Sequence, residues 1–536
     1  ADNIYKDCPD DEERDIFVIP GYIKKMVDNN WLGDKTGQGF YKKSKDENGK
    51  RVILELNTET FEYQPSSKPK FASVGAAKPI ESLKERLKAL NGGKDKGAEF
   101  LRLLNYHVFR YISNRIPEIS DELYRIDDGM KAGFGWELGP FETWDTLGVE
   151  KTVAKMKEAG FQPAAWVEEM LAKGVTSFYK SENGRRKYYD ISSGEYKDIP
   201  GTEGFIILDN YRDQKPVWQN SGATLHDIGD GIVNLEFHTK MNSIGSEVLE
   251  AINKSIEIAE KDFKGLVIAN NGLHFSAGAN LAMMFMLATE QEYDEIDMAV
   301  RVFQNTTMHC RYSNVPVVVA PHNLTLGGGC EVALHADKVE ASAETYIGLV
   351  EVGVGILPAG GGTKEMTLRA SDHFVKNGVE LPELQKRFMN IAMANVSTSA
   401  LEAFDMDIFV KGRDNYVVNP KRLIAQAKKT CLDLADRGYT RPIERTDIKV
   451  MGRSALAPLL LGIYSFRQGE YISDHDKKIA EKVANVMCGG DLSQPTLVSE
   501  QYLLDLEREA FLSLIGEKKT MERIQSILTT GKPLRN

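Results

Sequence analysis

Apolar positions recur with two different periods along the chain, and the change between them divides it. From Pro79 to about Ala172 the rhythm is helical, as in the run Ala98 to Phe109 with Phe100, Leu101, Leu103, Leu104 and Val108. Glycines at 133 and 135 and Pro140 interrupt it, and a new helix is predicted after them. Ahead of this region, Gly21 to Asn30 reads as a helix followed by the glycine turn 33–41. Residues 46–75 are polar and read as a surface hairpin and linker. Residues 175–222, rich in Tyr, Gly, Ser, Lys and Asp, suit short strands and a connector. From Ala223 the texture changes. Ile232 to Phe237 alternates like a half-buried strand, a helix is predicted over 245–260, and Gly265–Ala269 and Val315–Ala320 read as buried strands. Strands alternating with helices predict an α/β domain. After about Glu365 the pattern is helical down to Leu534. The segments are therefore 1–45, 46–78, 79–172, 173–222, 223–410 and 411–536.

Length and composition narrow the classes. The chain has 536 residues, enough for about two to four domains. Hydrophobic residues make up 42%, and the longest apolar stretch, Ala455–Ile463, is too short to span a bilayer. A net charge of -11 argues against nucleic acid as a partner, although local amides and a few lysines can still hold an anionic ligand. The five cysteines are scattered with no CxxC pair, which fits a reducing cytoplasm and neither a disulfide framework nor a zinc site. The chain opens on acidic residues without a methionine or a signal pattern. It reads as a C-terminal fragment of something longer.

The candidate chemistry lies in three glycine-rich segments: His274-Phe275-Ser276-Ala277-Gly278-Ala279-Asn280, Leu326-Gly327-Gly328-Gly329-Cys330-Glu331, and Gly348 to Glu351 running on to Gly355–Thr363. The first two each follow a strand and precede a helix. Small residues there leave backbone N–H groups uncovered at a helix start, where negative charge is favoured. Either loop alone is also served by a plain tight turn. Two donors converging on one oxygen would make an oxyanion hole, and losing one such donor costs roughly a hundred- to a thousandfold in rate. Glu331 falls in the first turn of the second helix. Glu351 sits in an otherwise apolar stretch, where a carboxylate is costly or its proton affinity rises, the condition for acid–base work near neutral pH. Gly353-Val354-Gly355 lacks the spacing and frame of a dinucleotide fingerprint.

Segments 275–281, 326–331 and 348–363 closely resemble the crotonase (enoyl-CoA hydratase/isomerase) superfamily, over about residues 223–410. The resemblance implies that Ala279 and Gly328 donate to a thioester oxygen. It implies that Glu331 and Glu351 are the two glutamates of a hydratase, that Ala277 lies against the CoA adenine, and that Lys240 flanks CoA. Asn280, Ala282 and Ala359 depart from the commoner family residues. The front resembles the helical C-terminal domains of 3-hydroxyacyl-CoA dehydrogenases. Gly33–Tyr41 looks like the end of the first, and Asp127–Gly148 like the second. That order is similar to bacterial bifunctional β-oxidation proteins with the dehydrogenase first. The implied fold class is α/β: mostly helical dehydrogenase C-terminal domains, a connector, a crotonase-like ββα spiral, and a helical C-terminal extension.

On this resemblance the expected activity is reversible hydration of trans-2-enoyl-CoA to 3-hydroxyacyl-CoA, with CoA thioester as substrate, no bound cofactor and no metal. NAD is expected only in a nicotinamide-binding domain preceding residue 1, which is itself an expected partner, and the protein is expected to be a cytoplasmic homo-oligomer. His107 reads as a packed or surface helix histidine with no acid partner marked for it. The alternatives are a Δ3,Δ2-enoyl-CoA isomerase and a non-catalytic acyl-CoA-binding or docking fragment.

Overall fold

A computed structural model describes residues 1–67, 69–212, 214–377 and 379–536. Contacts divide it into two units, 1–180 with 186–199, and 181–185 with 200–536.

The first unit begins with short helices and a three-stranded antiparallel sheet, Tyr41–Lys45, Arg51–Leu56 and Tyr63–Pro65, with Tyr41 opposite Glu55. The region read as a surface hairpin and linker holds two paired strands of this sheet, and also a helix, Ala72–Ala77. The helical rhythm of the sequence corresponds to Leu83–Gly92, Lys96–Asn114, Leu123–Phe134, Pro140–Leu147, Val149–Glu158 and Ala165–Ala172. Their apolar faces meet in an aromatic core, with Phe109 stacked on Trp144 at 4.7 Å between ring centres and Phe178 beside both Phe141 and Trp144. Helix Pro140–Leu147 starts on a proline, whose missing N–H is no loss at a first turn. Its next amides, from Phe141 and Glu142, donate to the Asp127 carboxylate at 2.8 and 3.1 Å. Gly139 is obligatory there, because a Cβ would lie 2.3 Å from Asp127 Cγ.

The second unit is built on a seven-stranded sheet. In spatial order its strands are Asn415–Val417, Lys338–Ser342, Val317–Val319, Gly265–Ile268, Ile232–Phe237, Ala223–Asp227 and Trp218–Gln219. The first five run parallel; Ala223–Asp227 pairs antiparallel with Ile232–Phe237, and Trp218–Gln219 antiparallel with Ala223–Asp227. Every residue of Ile232–Phe237 and Gly265–Ile268 is buried, as expected of parallel strands covered on both faces. The alternation read in Ile232–Phe237 is therefore not a half-buried strand: Asn234 and Glu236 are buried too, Asn234 donating to the Ala269 carbonyl and Glu236 facing His226 and Arg212.

A second layer pairs Asn323–Leu326 with Thr345–Gly348 in parallel, Leu326 opposite Gly348. Single parallel bridges join Ser276 to Thr325 and Ile244 to Ala279. Three chain segments therefore leave this layer side by side in one direction, and ligands of parallel α/β sheets bind off such carboxyl ends. Helices Arg453–Gln468, Asp474–Met487, Glu500–Ile515 and Lys518–Thr530 share the same hydrophobic core. Three short strands at 415–417, 448–450 and 496–498 interrupt the region read as wholly helical. Among the described residues no helix is long and apolar enough to cross a membrane.

Candidate active site

The first glycine-rich loop is tied down by its neighbours. Asn270 donates to the Phe275 carbonyl at 2.7 Å. Ser276 N donates to Leu324 O at 3.1 Å and Leu326 N to Ser276 O at 2.9 Å. Ala277 N, Gly278 N and Asn280 N reach Met241 O, Ser276 Oγ and Ile244 O. Among the described residues, the Ala279 amide alone of residues 275–280 has neither a backbone nor a side-chain acceptor. Asn280 caps the helix Leu281–Glu290 through its side chain, accepting from Met283 N at 3.3 Å. That is the start the sequence predicts.

Gly328 opens the helix Gly328–Leu334, so its N–H lies in the first turn and lacks an intrahelical acceptor. The two amides share a corner. A Cβ placed on Gly328 would lie 3.3 Å from Ala279 N, and one placed on Gly278 would lie 3.6 Å from Gly328 N. The Gly328 position also admits no side chain, since that Cβ would meet Phe303 Cζ at 2.7 Å. Gly327 turns the chain at φ +51° and donates to Gly348 O at 2.9 Å, which sets the two second-layer strands in register at the site.

Both predicted glutamates face this corner. Glu331 Oε1 accepts from Gly360 N at 2.8 Å and Gly362 N at 2.9 Å. Burial pushes its carboxyl up to about 7 even against those two donors and Lys364. Glu351 begins a short 3-10 turn. Its Oε2 is buried with no hydrogen-bond partner, and its carboxyl is raised well above the ordinary range by burial first and the charge of Glu331 next. The sequence treats the third glycine run as part of the donor set for an oxyanion. In the fold, the Gly360 and Gly362 amides hold a carboxylate instead. Ala277, Ala279, Gly328, Glu331 and Glu351 line one cavity of about 110 Å³, whose apolar wall includes Met284, Phe303, Leu357 and Phe511.

Residues 227–379 match the family model described as enoyl-CoA hydratase/isomerase. Over its whole length the chain is 42% identical to a Bacillus subtilis (strain 168) protein named "Probable 3-hydroxyacyl-CoA dehydrogenase", covering 66% of it. Over 96% of its length it is 26% identical to a Rickettsia felis protein described as a fatty acid oxidation complex trifunctional enzyme, covering 63% of that chain. The chain thus spans a little under two thirds of the relatives it matches. A solved carnitinyl-CoA dehydratase from Mycobacterium thermoresistibile aligns over 58% of this chain and 90% of its own, at 16% identity and a TM-score of 0.42.

Within the matched residues 227–379, Lys240 is exposed and half-buried Ala277 lines the cavity. The bond from Ala277 N to Met241 O puts the Lys240 segment beside the loop that carries Ala279. The sequence reading missed Glu507, on helix Glu500–Ile515. Glu507 is fully buried and raised to about 8 by burial and the charge of Glu331. Its signal was the same as that of Glu351, a carboxylate set among apolar residues, here Leu503, Leu504, Ala510 and Phe511. Also missed was the buried Lys364, whose Nζ contacts Glu500 at 2.8 Å and His335 Nε2 at 2.9 Å. Burial and the charges of Lys364 and Arg311 hold His335 well below its usual value. A neutral ring donating from Nδ1 to Glu331 O at 2.7 Å leaves Nε2 to accept from Lys364.

In the first unit, His107 does have an acid partner, contrary to the sequence reading. Its Nδ1 lies 3.2 Å from Glu13 Oε1, brought there by a chain segment 94 residues away. The ring packs edge-on to Phe161 at 4.7 Å. Glu13 and His107 border an open apolar groove of about 860 Å³.

Proposed function

We propose that the site in the second unit hydrates a trans-2-enoyl-CoA thioester reversibly to the 3-hydroxyacyl-CoA. The observation that carries this reading is the juxtaposition of two unspent amides, Ala279 and Gly328, with two buried carboxyl groups in one cavity. The amides receive the thioester oxygen and stabilise the enolate that forms as the double bond is attacked. Glu331, nearer to ionised at neutral pH, takes a proton from water while the hydroxyl adds to C3. Glu351, held protonated by burial and by Glu331, gives its proton to C2. One water is consumed, and the two carboxyls exchange protonation states, which proton exchange with solvent restores. Because the groups interact, their titration belongs to the pair.

CoA is substrate in this reading. Lys240 and Ala277 border its path, the lysine for a phosphate and the alanine for the adenine face. No nicotinamide cofactor is assigned to these residues, and NADH formation from 3-hydroxybutyryl-CoA by this chain would overturn that part. The test is hydration of crotonyl-CoA by the wild type and by Glu331→Gln. A wild-type rate in the variant refutes the site. Migration of the double bond of a 3-enoyl-CoA with no hydrated product would assign an isomerase instead. CoA binding without turnover would leave a binding fragment.

A further inference from the structure

Successive amides of the turn 360–364 are divided between two carboxylates. Gly360 N and Gly362 N donate to Glu331 Oε1. Gly361 N, between them, donates to Glu507 Oε1 at 2.7 Å, and Lys364 N to Glu507 Oε2 at 3.0 Å. Glu507 Oε1 also accepts from Gln304 Nε2 at 3.1 Å. Both oxygens of a fully buried side chain are thus occupied by N–H donors. Gln304 is itself fixed, donating to Leu504 O at 2.9 Å and accepting from Arg508 at 3.3 Å.

The turn has little freedom to hold this shape without help. Gly361 lies at φ +101°, and a Cβ there would meet His335 Cε1 at 2.7 Å. A Cβ on Gly360 would lie 2.5 Å from Glu331 Oε2. Side chains are excluded at 360 and 361, so that part of the backbone is positioned by its hydrogen bonds. Glu507 lies outside the segment 227–379 that matches the family model.

We propose that Glu507 is a positioning residue of the hydratase site, holding the 360–364 turn so that two of its amides converge on Glu331. The proposal rests on the hydratase reading above. Charged groups around Glu507 are Glu331 and Glu351 across the turn, Lys364 with its partners Glu500, Glu365 and His335, and Arg508 with Asp297. Above about pH 8, where Glu507 is ionised, removing its charge eases ionisation of the like-charged Glu351.

The experiment measures kcat and KM for crotonyl-CoA against pH for Glu507→Gln, Glu507→Asp and Glu331→Gln in the full chain. Glu507→Gln keeps the volume but sets an NH2 against a backbone donor. Its kcat should fall about tenfold to a hundredfold, the scale of a small misplacement at a reacting centre, while KM stays within about threefold. The alkaline limb of its kcat profile, where Glu351 loses its proton, should move to lower pH. Glu507→Asp keeps the charge, so its limb should stay in place while its shorter reach lowers kcat. A lower melting temperature with wild-type kcat and an unmoved limb in Glu507→Gln makes the residue merely structural and overturns the proposal. If Glu507→Gln does not fold, a wild-type kcat in Glu507→Asp overturns it. Loss of activity in Glu331→Gln with no effect at 507 refutes this inference alone, whereas full activity in Glu331→Gln refutes the hydratase reading beneath it.

Discussion

Each unit buries a pair of carboxylates whose proton affinity is raised, and the pairs differ in what their oxygens do. In the first unit Asp127 and Asp145 are both raised to about 7, chiefly by burial. Asp127 takes two backbone amides and the Tyr179 hydroxyl, the last at 2.7 Å. Asp145 takes the amides of Phe178 and Tyr179 at 2.7 and 2.9 Å. Every one of those oxygens is occupied by a donor from the chain. In the second unit Glu351 Oε2 has none, and the oxygen of Glu331 left free by Gly360 and Gly362 faces the cavity. A shifted carboxyl is therefore no mark of a reactive one. The mark is a buried oxygen left without a partner beside open space.

The comparison breaks most directly by removing one acid from each side. Glu351→Gln should lower the crotonyl-CoA hydration rate by roughly 10²- to 10⁴-fold, the range of a lost general acid, with the melting temperature little changed. Asp127→Asn should do the reverse. Its NH2 must face either the Phe141 amide or the Glu142 amide with the Tyr179 hydroxyl, leaving a buried donor unmatched at a cost of about 2 kcal/mol. Hydration should stay within about twofold, because the residue belongs to the other unit. Chemical denaturation and steady-state rates on both variants check the crossed pattern. Equal losses of stability in both would erase the distinction.

This contrast was only half legible in the sequence. Glu351 stood out because a charge amid Leu349, Val350 and Val352 needs a reason, and the glycines around Ala279 and Gly328 announced uncovered amides. The same logic applies to Glu507. Its partners Gly361 and Lys364 lie 146 and 143 residues away, so no local pattern could tell its role from that of a packed helix acid. His107 shows the same limit, since its partner Glu13 is equally remote in sequence. The buried central strands were found from their apolar runs. The strand Asn415–Val417 was not, because three residues at a sheet edge carry no period of their own.

Burial also predicts a trade between activity and stability in the second unit. A carboxyl with raised proton affinity in the folded state contributes stability that is full below the unfolded value of about 4.3. That contribution is lost as pH rises through the folded value, about 7 for Glu331 and about 8 for Glu507. Stability from these two groups should therefore decline between about pH 4 and pH 8. Glu331→Gln can keep its carbonyl toward Gly360 and Gly362 and turn its NH2 into the cavity. It should be more stable than the wild type at pH 8, by about 1–3 kcal/mol, and level with it near pH 4. Denaturant titrations at the two pH values decide the point, and a gain that is the same at both would remove ionisation as its cause.

The smallest effect distinguishes an engaged lysine from an available one. Lys131 of the first unit already faces Glu142 at 3.1 Å and Asp128 at 3.2 Å. Lys240 stands exposed beside the loop of Ala277. A solvent-facing charge pair is worth under about 1 kcal/mol, so Lys240→Ala should raise KM for crotonyl-CoA by roughly threefold at most and leave kcat alone. Because the lysine would meet a phosphate of the CoA portion, the effect should shrink as ionic strength rises and the Debye length shortens. It should vanish for a thioester truncated to pantetheine, which lacks those phosphates. A penalty that persists with the truncated substrate would move the role of Lys240 from the ligand to the loop it supports.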